Sequence, residues 1–170
     1  MNQIKSYLFI FLISFGVAGE IQYQPILLSG LITNPKQEIS GMDLYNDQIM
    51  LLPENLGGFL YMISKDEILN ALEKKDRIPI EPKQPAFHTP DYSKSIRGFE
   101  GLEAIAFNGN NVYITLESKD DETMRGYLAW GTIDPTTKEV TIPNKNLLEL
   151  ETPIQVNNMT FESLLIHNDH

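Results

Sequence analysis

The chain has 170 residues, of which 42% are hydrophobic and 21% are charged, and this composition excludes disordered, collagen-like and coiled-coil chains. The 23 acidic residues outnumber the 13 basic ones and give a formal net charge of -10, so we expect no nucleic-acid partner, whereas a cation would suit the chain. The cysteine count of 0 excludes disulfides, thiolate metal sites and cysteine nucleophiles.

Residues 1–19 have the pattern of a secretory signal peptide. Lys5 is their only charged residue, an apolar run covers residues 7–17, and small side chains precede a cleavage point after Gly19. The alternative is a membrane anchor, but the run is about half of the roughly 20 residues that span a bilayer, and no later stretch is long enough. We therefore expect a secreted or periplasmic protein without a membrane span. After cleavage, residues 20–170 are expected to form the folded domain. Loss of Lys5 takes the net charge from -10 to -11.

Most of the remaining chain predicts short strands, because β-branched and aromatic residues alternate with Asn, Asp, Gly or Pro turns. Ser64 and Glu67 form a capping-box pattern before an apolar stripe, which predicts one inserted helix near residues 65–75. Residues 78–98 contain four prolines and predict a loop. The predicted strands lie near residues 40–45, 48–53, 59–63, 102–107, 111–117, 126–133, 138–142 and 147–150.

An internal repeat is the strongest signal in the sequence. Residues 39–54 align with residues 102–117 at an offset of 63, and a third copy begins at Phe161 at a further offset of 59. Each copy reads as a strand, a turn and a second strand, and one unit of about 60 residues has the size of a β-propeller blade. The alternative is chance similarity among apolar strands. The repeat predicts an all-β, β-propeller-like fold.

The third copy predicts a strand over residues 162–167, and the sequence stops at His170, before the strand that would pair with it. About two and a quarter blades are therefore predicted, whereas propellers close with four to eight. We expect residues 20–170 to be the N-terminal part of a longer propeller domain. A truncated reading frame, a fragment and a split gene remain open as explanations.

Short motifs carry a resemblance to a family. The segment Gly101-Leu-Glu-Ala-Ile-Ala-Phe107, with Asn-Gly and residues 112–117 after it, resembles the Gly-Phe-Glu-Gly-Leu-Ala motif of the secreted propeller domains called "esterase-like activity of phytase". Gly98-Phe-Glu-Gly-Leu102 is a second, overlapping placement of the same motif. The opening Ile39-Ser-Gly-Met42 is similar to the Leu-Ser-Gly-Leu start of that family, and Phe161-Glu-Ser-Leu164 resembles a further turn of it. The family name implies hydrolysis of esters, although a fold alone does not establish an activity.

Repeated acids are the candidate metal ligands. Ser40, Glu103 and Glu162 share one repeat column at the start of the first strand, and Glu54 and Glu117 share a second column at the end of the next strand. First strands line the channel of a propeller, so these carboxylates could converge on Ca²⁺, which takes six to eight oxygen ligands. The alternative is that the acids cap strands, accept backbone N–H bonds or face solvent.

Three functions compete. The first is an exported propeller domain that binds without catalysis, and this is the reading that the 170 residues favour. The second is a calcium-dependent hydrolase of phosphate or carboxylic esters when the domain is complete, and the third is an incomplete, non-functional product. The expected partners are a small-molecule ester or a protein that supplies the missing blades. No catalytic residue is assigned, because no nucleophile elbow, phosphate-binding loop or zinc-protease motif is present in the sequence.

Overall fold

The computed structural model describes residues 24–54, 57–74, 78–121, 123–151, 161 and 163–167. The described chain is mainly β, as predicted, with one helix longer than a single turn. Its elements in chain order are a 3-10 helix (Gly30–Thr33), β1 (Ile39–Tyr45), β2 (Gln48–Pro53), β3 (Gly58–Phe59), β4 (Tyr61–Ser64), α1 (Lys65–Glu73), β5 (Ala86–His88), α2 (Tyr92–Ser95), β6 (Phe99–Asn108), β7 (Asn111–Asp120), β8 (Thr123–Ile133), β9 (Val140–Thr141) and β10 (Leu147–Leu150).

The hairpins β1–β2 and β6–β7 have the same register. Adding 63 to each residue number of the first hairpin reproduces its Cα pairs in the second, from Ile39–Pro53, which becomes Leu102–Leu116, to Tyr45–Gln48, which becomes Asn108–Asn111. Both first strands also shift register at one equivalent residue, Ser40 in β1 and Glu103 in β6. The sequence repeat is therefore a structural repeat at the level of individual backbone pairs.

The equivalence extends to the third strand of each unit and, beyond it, to an isolated bridge at Lys83 in repeat 1 and the start of β10 in repeat 2. β4 pairs with β2 and β8 pairs with β7, both antiparallel. Beyond them, the N–H of Met62 donates to the carbonyl of Lys83 at 2.8 Å, and the N–H of Trp130 donates to that of Asn146 at 3.4 Å. Lys83 and Asn146 are again 63 residues apart. We refer to residues 39–88 as repeat 1 and to residues 99–150 as repeat 2.

The two repeats are joined by a parallel pairing of the last strand of repeat 1 with the short strand β9 of repeat 2. β5 pairs with β9 in parallel, so the larger sheet runs β3-β5-β9-β8-β7-β6, with β10 also on β8, and it curls into a half-barrel. The strands β1, β2 and β4 form a separate three-stranded sheet. One core cluster takes buried side chains from both sheets, among them Met50, Leu52, Ile105, Ile114 and Val140. Apolar burial between the sheets is the main stabilising contribution.

The inserted helix is confirmed. α1 begins after Ser64, whose side chain accepts the N–H of Glu67 while the Glu67 carboxylate accepts the N–H of Ser64. This capping box satisfies two backbone groups that a helix N-terminus leaves without partners. No helix among the described residues is long and apolar enough to cross a membrane.

Two local predictions are wrong. Residues 78–98 are not all loop, since they contain β5 and the short helix α2. The prolines there do not prevent pairing, because the carbonyl of Pro85 accepts the N–H of Leu60 at 3.0 Å and no donor is needed at that position. In the third copy, Ser163–His167 are not a strand, because no described residue forms a ladder with them.

Candidate functional site

The β-bulge of β6 places Glu103 in the protein interior. Leu102 and Ala104 pair with the consecutive residues Leu116 and Thr115 of β7, so Glu103 is the extra residue of the bulge. Bulges bend a strand and re-aim the side chain that they carry. Glu103 is only 7% exposed and is the only acidic residue among the buried residues of the described chain. A buried carboxylate costs free energy unless hydrogen bonds or charges around it compensate for the loss of water.

Glu54 approaches Glu103 from the other repeat. A β-carbon built on Gly101 would lie 2.9 Å from Cγ of Glu54 and 3.1 Å from Oε1 of both Glu54 and Glu103. The two carboxylates therefore face one point above Gly101, and any side chain at that position would occupy their space. Glu54 follows the last residue of β2, and its backbone N–H donates to the carbonyl of Glu38 at 3.0 Å.

Glu117 lies on the same side of the sheet. It is the Cα partner of Gly101 in the β6–β7 ladder, and residues directly opposite each other in an antiparallel pair project from one face. Glu117 is half-buried. Its repeat equivalent is Glu54, and both acids thus border Gly101, one from each repeat.

The structure brings together residues of the two predicted columns. The sequence placed Glu103 with Ser40 and Glu162, and Glu54 with Glu117, as separate sets. In the fold, the end of the second strand of repeat 1 meets the start of the first strand of repeat 2. The hydroxyl of Ser40, the first member of the other column, donates to the carbonyl of Leu52 at 3.5 Å. Glu162 lies outside the described residues.

The carboxylates of Glu54 and Glu103 supply part of the oxygen coordination that a hard cation such as Ca²⁺ requires. Two carboxylates that face one point repel each other when both are ionised, and a divalent ion relieves that repulsion. Ca²⁺ takes six to eight oxygen ligands, and Glu54 and Glu103 supply two carboxylate groups. Within the described ranges, no cluster of three or more His, Asp or Glu side chains is arranged to hold a metal ion. Calcium at Glu103, Glu162, Glu54 and Glu117 stays a prediction.

Comparison with known proteins adds no assignment: no family model and no curated protein sequence matches the chain. The resemblance to the esterase-like phytase domains therefore stays a prediction that its short motifs carry. What sequence reasoning missed is the role of Gly101, which the motif contains and whose missing side chain leaves room for the carboxylates. A glycine two residues before the first acidic column was the available signal.

Proposed function

We propose that the chain forms an exported, β-propeller-like repeat structure that acts by binding, and that the carboxylates at the junction of consecutive repeats bind Ca²⁺. The observation that carries the proposal is the approach of Glu54 and Glu103 to one point above Gly101. The shared register of the two hairpins supports the repeat architecture, because equivalent strands that succeed one another along the chain are what stacked blades require.

The repeat extends the calcium proposal to Glu162. Glu54 becomes Glu117 when it is shifted by 63, and Glu103 becomes Glu162 when it is shifted by 59. The pair at the junction of repeats 1 and 2 therefore predicts a second pair, Glu117 and Glu162, at the next junction. Each pair would supply two carboxylates, and carbonyl oxygens and water would complete the coordination.

A calcium titration followed by thermal unfolding tests the proposal. An ion that binds only the folded state stabilises it by about 2.7 kcal/mol at a hundredfold excess over its Kd. We expect millimolar Ca²⁺ to raise the Tm by several degrees, Glu103→Gln to reduce that rise, and a chelator to reverse it. Glu151→Gln changes an exposed carboxylate and serves as the matched control. A Tm that responds to neither calcium nor chelator would contradict the proposal.

A second candidate is a calcium-dependent hydrolase of phosphate or carboxylic esters. The motif that begins at Gly101 favours it, since the residues that carry the family resemblance also border the two carboxylates. A bound Ca²⁺ would polarise a phosphoryl or carbonyl oxygen. Release of product from a chromogenic phosphate ester and a chromogenic acetate ester, measured with calcium and with chelator, tests this candidate. Turnover that persists in Glu103→Gln would contradict it.

A further inference from the structure

The last strand of repeat 1, β5, has a neighbour on each of its edges. On one edge β5 pairs with β3, and on the other it pairs in parallel with β9, where Phe87 lies opposite Val140. The N–H of Ile142, just after β9, also donates to the carbonyl of His88 at 2.8 Å. A short extended segment from repeat 2 is thus added to the outer edge of repeat 1.

The strand β10 holds in repeat 2 the position that β5 holds in repeat 1. Phe87 of β5 pairs with Gly58 on the preceding strand of its sheet. Leu150 of β10 lies 63 residues after Phe87 and pairs with Gly126 of β8. The carbonyls at positions 83 and 146, which accept equivalent hydrogen bonds, precede these two residues by the same number of positions. The outer edge of β10 is therefore the counterpart of the β5 edge that pairs with β9.

The outer edge of β10 presents the same backbone groups. The carbonyl of Asn146 faces β8, because it accepts the N–H of Trp130. Hydrogen-bonded pairs alternate along an antiparallel ladder, so Glu149 and Glu151 direct their N–H and C=O groups away from β8. Glu151 corresponds to His88, whose carbonyl accepts the added segment in repeat 1. Among the described residues, β8 is the only strand that pairs with β10, and we refer to the outward groups of Glu149 and Glu151 as the β10 edge.

The segment added to β5 shows which side chains such an edge accepts. Val140 and Ile142 are 0% and 3% exposed and belong to the same core cluster as Phe87. Thr141 between them is exposed and lies opposite the exposed His88. The segment thus reads apolar, polar, apolar, and its two apolar residues are β-branched, which suits an extended strand.

The charge beside the middle position differs between the two edges. At the β10 edge, Leu150 takes the place of Phe87, and the exposed Glu151 takes the place of His88. A lysine or arginine at the middle of an added segment would form an ion pair with the Glu151 carboxylate, whereas an acid would be repelled. The formal net charge of -10 for the chain acts in the same direction.

We infer that the β10 edge binds an extended peptide segment of the pattern β-branched, basic, β-branched, which adds parallel to β10 as β9 adds to β5. In this mode of recognition, main-chain hydrogen bonds supply the affinity and the alternate side chains supply the specificity. The inference goes beyond the proposed function and does not use calcium, because Glu149 and Glu151 are not among the carboxylates at the repeat junction.

Fluorescence anisotropy of labelled peptides, measured with the full chain, tests the inference. The probes are a peptide of residues 138–144 and the same peptide with Thr141→Lys or Thr141→Glu. We expect the Kd of the lysine peptide to be about fivefold lower than that of the glutamate peptide, since an exposed ion pair contributes little. Adding Ile142→Pro to the lysine peptide removes the N–H that would donate to the carbonyl of Glu151, and it should weaken binding at least about tenfold.

Variants of the protein separate the backbone from the charge. Glu151→Pro removes an N–H that points away from β8, so the ladder is kept while peptide binding should weaken at least about tenfold. Glu151→Ala keeps that N–H and should lose only the preference for lysine over glutamate. The peptide variants alone decide the question if Glu151→Pro does not fold.

Amide hydrogen exchange locates the binding. The N–H of Glu151 should exchange freely without peptide and become protected when the lysine peptide is added. Protection without peptide, equal binding of the peptides with and without Ile142→Pro, or no binding at millimolar peptide would each overturn the inference. Because none of these readouts needs calcium, failure here is distinguishable from failure of the calcium titration.

Discussion

The carboxylate of Asp43 accepts the backbone N–H of Phe107 at 2.7 Å and thereby joins the first strands of the two repeats. Its other oxygen accepts the N–H of Leu44, also at 2.7 Å. Leu44 and Phe107 are repeat equivalents, so one side chain satisfies the same backbone group in both repeats. The neighbouring Tyr45 adds a hydrogen bond to Asn110 at 2.9 Å and packs its ring 5.3 Å from that of Phe107.

Asp43→Ala should weaken the junction of the repeats. The substitution leaves the N–H of Phe107 without its acceptor, and a half-buried donor without a partner costs about 1–3 kcal/mol. We expect the free energy of unfolding, measured by urea denaturation, to fall within that range. Glu151→Ala removes an exposed carboxylate as the control and should change it by less than about 0.5 kcal/mol. Equal effects of the two variants would show that Asp43 does not hold the junction.

Gly41→Ala should be destabilising because of contact with backbone atoms. The added β-carbon would lie 2.9 Å from the nitrogen of Ile105 and 3.1 Å from Cα of Ala104, and neither can rotate away. Overpacking of this kind costs about 1–3 kcal/mol. Gly57→Ala is the matched control, since its β-carbon would meet nothing within 4 Å. Thermal unfolding in which the two variants have the same Tm would contradict close packing of β1 on β6.

Much of the fold could be predicted because local chemistry and tertiary pairing agree. Asn46 and Gly109 adopt positive φ in the turns of the two hairpins. The strands on either side of each turn pair in the register that the alignment of residues 39–54 with residues 102–117 implies. The sequence did not predict β5, because β5 lies in a proline-rich segment and such a composition is typical of a loop. The parallel contact of β5 with β9 joins residues distant in sequence and has no local signal.

The candidate site could be predicted in its residues but not in its arrangement. Glu54 and Glu103 stood out as repeated acids, yet their approach depends on how one repeat rotates against the next. Two tertiary contacts lie at this junction. They are the close approach of Gly41 to the backbone of Ile105 and the hydrogen bond from the Phe107 N–H to the Asp43 carboxylate. A one-residue bulge at Glu103 also changes the direction of its side chain, and strand alternation cannot predict such a bulge.

The α1 capping box should make stability depend on pH. The hydrogen bond from the Ser64 N–H holds the pKa of Glu67 below its usual value, with a further contribution from the Ser64 hydroxyl. A lowered folded-state pKa stabilises the fold above the unfolded pKa, and this contribution is lost as the pH falls through the folded pKa. Acid titration of urea stability should therefore show a smaller loss between pH 6 and pH 3 in Glu67→Gln than in the unsubstituted protein.

Ser64→Ala removes the cap itself and should cost about 1 kcal/mol at neutral pH. If Glu67→Gln loses as much stability between pH 6 and pH 3 as the unsubstituted protein, the Glu67 carboxylate does not contribute through the cap.

Thr115→Val should loosen the third copy from repeat 2. The substitution keeps the shape of the buried side chain but removes the hydroxyl that donates to the carbonyl of Phe161 at 2.9 Å. The free energy of local opening should fall by about 1 kcal/mol, which raises the open population about fivefold.

The measurement is limited digestion by chymotrypsin, which cleaves after Phe161. The cleavage rate reports the population of the open form when opening and closing are faster than cleavage. Thr132→Val changes an exposed hydroxyl of β8 and should leave the rate unchanged. Because this hydrogen bond joins β7 to the start of the third copy, equal rates for the two variants would mean that the third copy is not held by repeat 2.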